Sequence, residues 1–364
     1  MKTPRTIRTT LALLAAIGLT AVTTGCTRLE ASSDQGNTPA ADKGAAPELR
    51  LGYFPNITHA AALIGVQKNF FAAELGGDTK LTTQTFNDGT EAVGALLGNS
   101  LDITFIGSGP AINAFAKSNG EAVRLIAGAT SGGAQLVVKP GITTAEQLTG
   151  RKVATPKLGN TQDIALKKYL ADKQIPVGDG PDKVTIVNTD NPQTLDAFRA
   201  GQLDAAWLPE PWSSRLVQDA GATVLLDEKQ LWPGGRFPTT VVIVRTQFLR
   251  DHPRTVQAFL RGQLAAVDFA TANPAQGHQV ANTALKELTG KPLSDPVIAR
   301  AFGNITLTAD PLAGVFPQLA KDAVTAGTAR SAPDLAGFVD LGALNAVLSA
   351  AGKPTVDAAG LDTK

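Results

Sequence analysis

Cysteine is almost missing from this chain: Cys26 is the single one among 364 residues. No Cys-x-x-Cys pair can form, so metal centres built on that spacing are excluded. Histidine is scarce as well. His59, His252 and His278 lie too far apart for a recognisable zinc motif, and no His-Glu-x-x-His run exists. Excess charge of either sign is lacking, with 33 basic and 32 acidic residues and a formal net charge of +1. Without a basic stripe interleaved with aromatics, nucleic-acid binding is set aside. A Gly-x-Ser-x-Gly elbow and a Gly-x-x-x-x-Gly-Lys-Ser/Thr phosphate loop are both absent. "GSGPAI" (Gly107 to Ile112) starts like a dinucleotide turn but lacks the third small position and follows the second expected strand rather than the first. No reaction centre, metal or cofactor is implied.

What is present begins with an export pattern. Lys2, Arg5 and Arg8 precede the apolar stretch "LALLAAIGLTAV" (Leu11 to Val22), which is well short of the ~20 residues of a membrane span. Residues 1–25 are therefore expected to be a lipoprotein signal peptide. Cys26 follows in "VTTGC", which resembles the lipobox of bacterial lipoproteins, with Thr23 where leucine is usual. That resemblance implies an acylated Cys26 in membrane lipid, anchoring the protein on the extracytoplasmic side of a bacterial cell membrane. Residues 26–47, polar and rich in Ser, Ala, Gly and Pro, have little to bury and are expected to be a flexible tether.

With 43% apolar residues the rest can bury a large core. One arrangement occurs five times: a short apolar run, a cluster of Gly, Pro, Asn or Thr, then a helical pattern. "LRLGYF" leads to "PNITHAAALIGV", "DITFI" to "GSGPAINAFA", "KVAT" to "PKLGNTQDIALKKYL", "VTIVN" to "TDNPQTLDAFRAG", and "DAAWL" to "PEPWSSRLV". Alternating strand and helix signals predict an α/β fold with mainly parallel sheets and flanking helices. Helix-start signals stand at Asn56 or Thr58, Pro110, Asn160 or Thr161, and Pro192. Each such start presents free N–H groups and a partial positive charge. "GAQLVVK" (Gly133 to Lys139) and "TTVVIVR" (Thr239 to Arg245) start no such unit and are expected as two strands crossing between two lobes. Lobe one is then 48–135 plus 243–364, and lobe two is 136–242. Val256, Phe259, Leu260, Leu264 and Val267 lie on one face of a helix opened by Asp251 with Pro253 and closed by Asn273-Pro274.

"LRLGYFPNITHAAALIGVQKNFFAAELG", "LGNTQDIALKKYL" and "DAAWLPEPWSSRLV" resemble the substrate-binding proteins of ABC importers for aliphatic sulfonates, a group similar to the taurine, nitrate and thiamine-precursor receptors. The likeness runs from about residue 49 to about 260, with "TLTADPLAG" (Thr306 to Gly314) a weaker echo. It implies a two-lobed type II periplasmic-binding-protein-like fold, a monomer that closes on a small anionic solute and hands it to the transmembrane subunits of an ABC permease. An enzyme shares that fold, the pyrimidine synthase of thiamine biosynthesis, but its family carries a cysteine-rich motif for iron and this chain does not.

On this reading the ligand-binding candidates are His59, Ser108, Gly109, Asn160, Thr161, Gln162, Glu210, Trp212, Thr239 and Thr240. A sulfonate stays ionised at physiological pH, so a receptor needs donors rather than proton chemistry. His59, at a helix start whose dipole opposes protonation, is a neutral donor to the solute or a local packing residue. Ser108-Gly109 and Asn160-Thr161-Gln162 are two cradles across the cleft from one another, or simple turn and cap residues. Glu210 in "PEPW" meets an ammonium on the solute, or else pairs with Arg215 or a helix start. Trp212, more than Trp207, offers a wall for an alkyl chain. Thr239 and Thr240 turn hydroxyls to the solute or serve β-propensity alone.

Overall fold

The protein is described from a computed structural model covering residues 42–362. The expected signal peptide, Cys26 and the tether before Asp42 lie outside the described residues. No described helix is long and apolar enough to cross a membrane.

Eleven strands form two sheets among the described residues. They are β1 (Glu48–Tyr53), β2 (Lys80–Thr85), β3 (Ile103–Gly107), β4 (Val123–Gly132), β5 (Ala134–Val138), β6 (Lys152–Thr155), β7 (Thr185–Asn188), β8 (Ala205–Pro209), β9 (Thr223–Asp227), β10 (Pro238–Arg245) and β11 (Ile305–Leu307). The first sheet has the order β11-β4-β10-β3-β1-β2 and the second β7-β6-β8-β5-β9.

Each of the five expected units is a strand followed by a helix: β1 by Ala60–Gln67, β3 by Ser108–Lys117, β6 by Thr161–Asp172, β7 by Asn191–Arg199 and β8 by Trp212–Ala220. A sixth, β2 followed by Gly89–Leu97, was not expected. "KLTTQT" is polar and largely exposed because β2 is an edge strand, so a search for apolar runs passes over it.

The sheets are mixed rather than mainly parallel. The pairings β1–β2, β1–β3, β6–β7 and β6–β8 are parallel. Those of β10 with β3 and β4, β11 with β4, and β5 with β8 and β9 are antiparallel. The physical reason is connectivity: a crossover helix returns the chain in the same sense, whereas β4, β5 and β10 carry it between sheets. The first passage falls at Gly132-Gly133, both at φ +78. That left-handed region suits glycine, and a β-carbon on Gly133 would stand 2.3 Å from Ile305 Cγ2. The return passes between Leu231 and Pro238. The two runs expected to cross are thus strands that each lie in one sheet, just after a passage.

Strand periodicity explains the second sheet's two cores. Leu136, Val138, Ala205 and Trp207 face one cluster with Leu166 and Leu170, while Val137, Ala206 and Leu208 face another with Leu195, Phe198 and Leu216. The first sheet packs on the helix Pro253–Ala272, whose Val256, Phe259, Leu260, Leu264 and Val267 are buried. Phe259 stacks on Phe71 at 4.9 Å and meets Phe105 edge-on at 6.0 Å. Burying each such side chain contributes about 1.5–3 kcal/mol.

Candidate functional site

In open α/β sheets the free space lies beyond the carboxyl ends of parallel strands, where helices start. Here those ends converge on one small cavity of about 40 Å³. The loop after β1 brings Phe54, Asn56, Thr58 and His59, and that after β2 brings Asn87, Asp88 and Gly89. Gly107 and Pro110 follow from β3, Asn160, Thr161 and Gln162 from β6, and Asn191 from β7. Thr239 and Thr240 at the start of β10 close the wall. The cavity therefore receives side chains from the loops of both sheets.

Two of the helix starts facing it are open, while at Ile57–His59 the Thr58 N–H donates to the Glu210 carbonyl at 3.3 Å. Asn56, Asn160 and Asp190 stand at cap positions, yet their side chains make no cap hydrogen bond. The first N–H groups of those helices have no intrahelical partner. Asp88 differs: its Oδ1 accepts from the N–H groups of Thr90 (2.6 Å) and Glu91 (3.1 Å). Three side-chain atoms near these starts, Ser108 Oγ, Asn160 Oδ1 and Asn191 Oδ1, are buried without a partner.

His59 is buried and stacked on Phe54 at 4.4 Å. Its Nδ1 accepts the Phe54 N–H at 3.3 Å, so in the neutral ring the proton sits on Nε2. Burial pushes the imidazole pKa down to about 3. Desolvation, rather than the helix dipole expected from the sequence, keeps this ring neutral.

The remaining candidates are placed as follows. Asn160, Thr161, Gln162, Thr239 and Thr240 line the cavity with His59. The Thr239 hydroxyl donates to the Gly132 carbonyl, while Gln162 and Thr240 have no side-chain hydrogen bond to the described residues, which leaves them free toward the cavity. Gly109 meets Thr161 directly, its N–H donating to Thr161 Oγ1 at 3.2 Å. Neither Ser108 nor Gly109 is on the cavity lining: Ser108 is fully buried and Gly109 faces a separate groove of about 690 Å³. The two cradles thus touch one another instead of flanking a solute.

Glu210 is also off the lining. Its fully buried carboxylate accepts from Asn304 Nδ2 (2.6 Å), Arg300 Nη1 (3.3 Å) and the Ser214 N–H (3.2 Å). The cation beside it is Arg300, not Arg215, which pairs with Asp219 and stacks over Trp212 at 4.8 Å. Trp212 donates its Nε1–H to Asn56 Oδ1 at 2.8 Å and lines an outer groove of about 480 Å³. That groove shares Asn56, Asn87 and Asn191 with the cavity. Trp207 is a core residue, donating to Glu228 Oε2 at 2.8 Å.

Sequence reasoning missed Asn87, Asp88 and Asn191 as lining residues and used Asn56 and Asn191 only as helix-start signals. A signal for the second loop existed: "DGTE" is an Asp-x-x-Glu capping pattern at the start of Gly89–Leu97.

Polar side chains from the loops of both sheets thus surround one small space, and solved structures share this build. The alkanesulfonate-binding protein SsuA from Xanthomonas axonopodis pv. citri, bound to MOPS, matches with a TM-score of 0.63 at 20% identity, over 79% of this chain and 95% of that one. The periplasmic nitrate-binding protein NrtA from Synechocystis PCC 6803 matches with a TM-score of 0.68 at 16% identity, over 84% and 89%. The fold is that of a type II periplasmic binding protein. Residues 42–285 match the NMT1-like family, and the chain belongs to it. The taurine-binding periplasmic protein of Escherichia coli (strain K12) is 30% identical over 253 residues, 68% of this chain and 75% of that protein. The chain is a periplasmic-type solute-binding protein of the taurine, sulfonate and nitrate receptor group, not an enzyme.

Proposed function

We propose that this protein is the extracytoplasmic solute receptor of an ABC importer, held to the membrane through acylated Cys26, and that its solute is a small organic anion, an aliphatic sulfonate foremost. Lobe one (48–135 with 243–364) and lobe two (136–242) close on the solute, and the closed monomer docks on the permease. The observation that carries this reading is a small cavity at the open helix starts after Asn160 and Asp190, with hydroxyl, amide and neutral imidazole groups and no cationic side chain on its lining, Asp88 being its one carboxylate. His59, Asn160, Thr161, Gln162, Thr239 and Thr240 are its contacts, with Ser108 and Gly109 bracing the helix starts behind them. Glu210 and Trp212 act from outside the cavity.

The energetics suffice. A micromolar site needs about 8 kcal/mol, and hydrogen bonds to a charged group contribute roughly 1.5–3 kcal/mol each. Four or five reach that after ordering costs. Taurine, nitrate and thiamine precursors are the alternatives within the same group. Calorimetry of the purified protein against ethanesulfonate, taurine, nitrate, sulfate and a thiamine precursor tests the reading. Sulfonates are expected to bind at micromolar or tighter concentrations; binding of only a neutral or cationic compound overturns it.

A further inference from the structure

The run "GSGPAI", which only starts like a dinucleotide turn, meets a neighbour from the other sheet. The helix Ser108–Lys117 after β3 begins against the start of Thr161–Asp172 after β6, and the Gly109 N–H donates to Thr161 Oγ1 at 3.2 Å. Both glycines face Thr161: a β-carbon on Gly107 would stand 2.7 Å from its Oγ1, and one on Gly109 would stand 3.2 Å from its backbone nitrogen. Backbone conformation does not call for glycine at 107, since φ −66 and ψ 151 are open to any residue. The other sheet's Thr161 does. A second contact also joins the sheets: Trp212, at the start of the helix after β8, donates its Nε1–H to Asn56 Oδ1, in the loop after β1, at 2.8 Å. The two contacts stand on different sides of the cavity. Asn56 and Trp212 line the outer groove of about 480 Å³, and Gly109 lines the groove of about 690 Å³.

Each contact is a single hydrogen bond between uncharged groups, whereas Glu210 is held by Arg300, Asn304 and the Ser214 N–H together. When the lobes part, the two single bonds are the cheaper ones to break. We propose that they form one latch, broken and re-formed together, and that Gly107 and Gly109 are its positioning residues, glycine because Thr161 of lobe two lands on them. Solute leaves only through the open form, so the latch sets the rate of release for every solute alike. The inference rests on the two-lobed receptor reading and is independent of which solute is bound.

Exchange of the indole N–H protons in D2O, followed by NMR on the full chain, reads the latch without any ligand. Trp212 reports on the latch, and Trp207, fully buried, reports on the core. Gly107→Ala sets a methyl group against Thr161 and touches neither tryptophan. Trp212 exchange is expected to speed up about 3- to 10-fold, the scale of one neutral hydrogen bond, with Trp207 unchanged. Gly107→Ala combined with Thr161→Ala, where the methyl group meets no Oγ1, should match Thr161→Ala alone. Unchanged Trp212 exchange in Gly107→Ala overturns the proposal, and so does equal acceleration of Trp207, the mark of general loosening. Additive effects in the double variant overturn it too. Ethanesulfonate in excess then tests the anion reading separately, by slowing Trp212 exchange in the wild type. If it does not, that reading fails while the ligand-free result still decides the latch.

Discussion

Replacing Arg300 by methionine keeps an unbranched stem in place and removes the guanidinium. Three bonds go with it: to Glu210 Oε1 at 3.3 Å, to Ser214 Oγ at 2.8 Å and to Gln135 Oε1 at 2.7 Å. Glu210 stays fully buried with Asn304 and the Ser214 N–H as partners but no cation. Breaking a buried ion pair from one side costs about 3–5 kcal/mol, because an uncompensated charge is left behind. At roughly 2–4 °C per kcal/mol for a large domain, melting should fall by about 6–20 °C. Glu210→Gln removes the charge that needs compensating, so Glu210→Gln with Arg300→Met should be more stable than the Arg300→Met single variant. Urea unfolding of the two single variants and the double variant gives the coupling energy, expected above about 1.5 kcal/mol. The clasp links the second sheet's segment (Gln135, Glu210, Ser214) to the helix Asp295–Gly303, which leads into β11 of the first sheet. A loss under about 1 kcal/mol in Arg300→Met, or strict additivity, would refute the idea that this pair is a buried tie beside the Gly132-Gly133 passage.

Two further predictions concern pH and chain length. His59, at about 3 when folded against 6.5 when free, takes up its proton first in the unfolded chain, so its contribution is full above pH 6.5 and is lost as pH falls toward 3. Glu228, pushed up to about 8 chiefly by burial, keeps its proton when folded, so stability falls as pH rises from 4.5 to about 8. The slopes oppose one another between 4.5 and 6.5, and above that Glu228 acts alone. Glu228→Gln should therefore abolish a loss of about 2 kcal/mol between pH 6.5 and 8 in urea midpoints, and parallel curves for the two proteins would contradict burial as the cause. Trp212→Ala removes the Nε1–H bond to Asn56 that stands between cavity and outer groove. Over a C2 to C6 alkanesulfonate series, affinity for the longer chains should rise at least about 5-fold relative to ethanesulfonate, and an unchanged ratio would show that the indole does not divide the two spaces.

How far the sequence carries can be judged from particular elements. The units after β1, β3, β6, β7 and β8 were legible because strand and helix periods alternate locally and each turn is marked by Gly, Pro, Asn or Thr. The unit after β2 was not, since an edge strand owes its place to one neighbour and shows water its polar side chains. The same distinction separates the candidate residues. His59 and Asn160 to Gln162 follow directly from strand ends, so local order puts them at the cavity. Glu210 follows a strand end too, yet its surroundings are set by Arg300 and Asn304, about ninety residues further along the chain. No local pattern announces that partner.

The open helix starts carry the same argument to its limit. Asn160 is among the favoured cap residues, so the sequence predicts a side chain that satisfies the first N–H groups of its helix. In the folded protein it makes no such bond, and its oxygen is buried beside Gly89 from the other sheet's loops. Asp88, with the same preference, does cap its helix and still leaves one oxygen over. Whether a polar residue at a helix start closes that start or leaves it for a solute is decided by what the opposite lobe places against it. Capping propensity therefore marks where such a site can be, while the direction of each donor and acceptor exists only once two sheets far apart in sequence have been brought face to face.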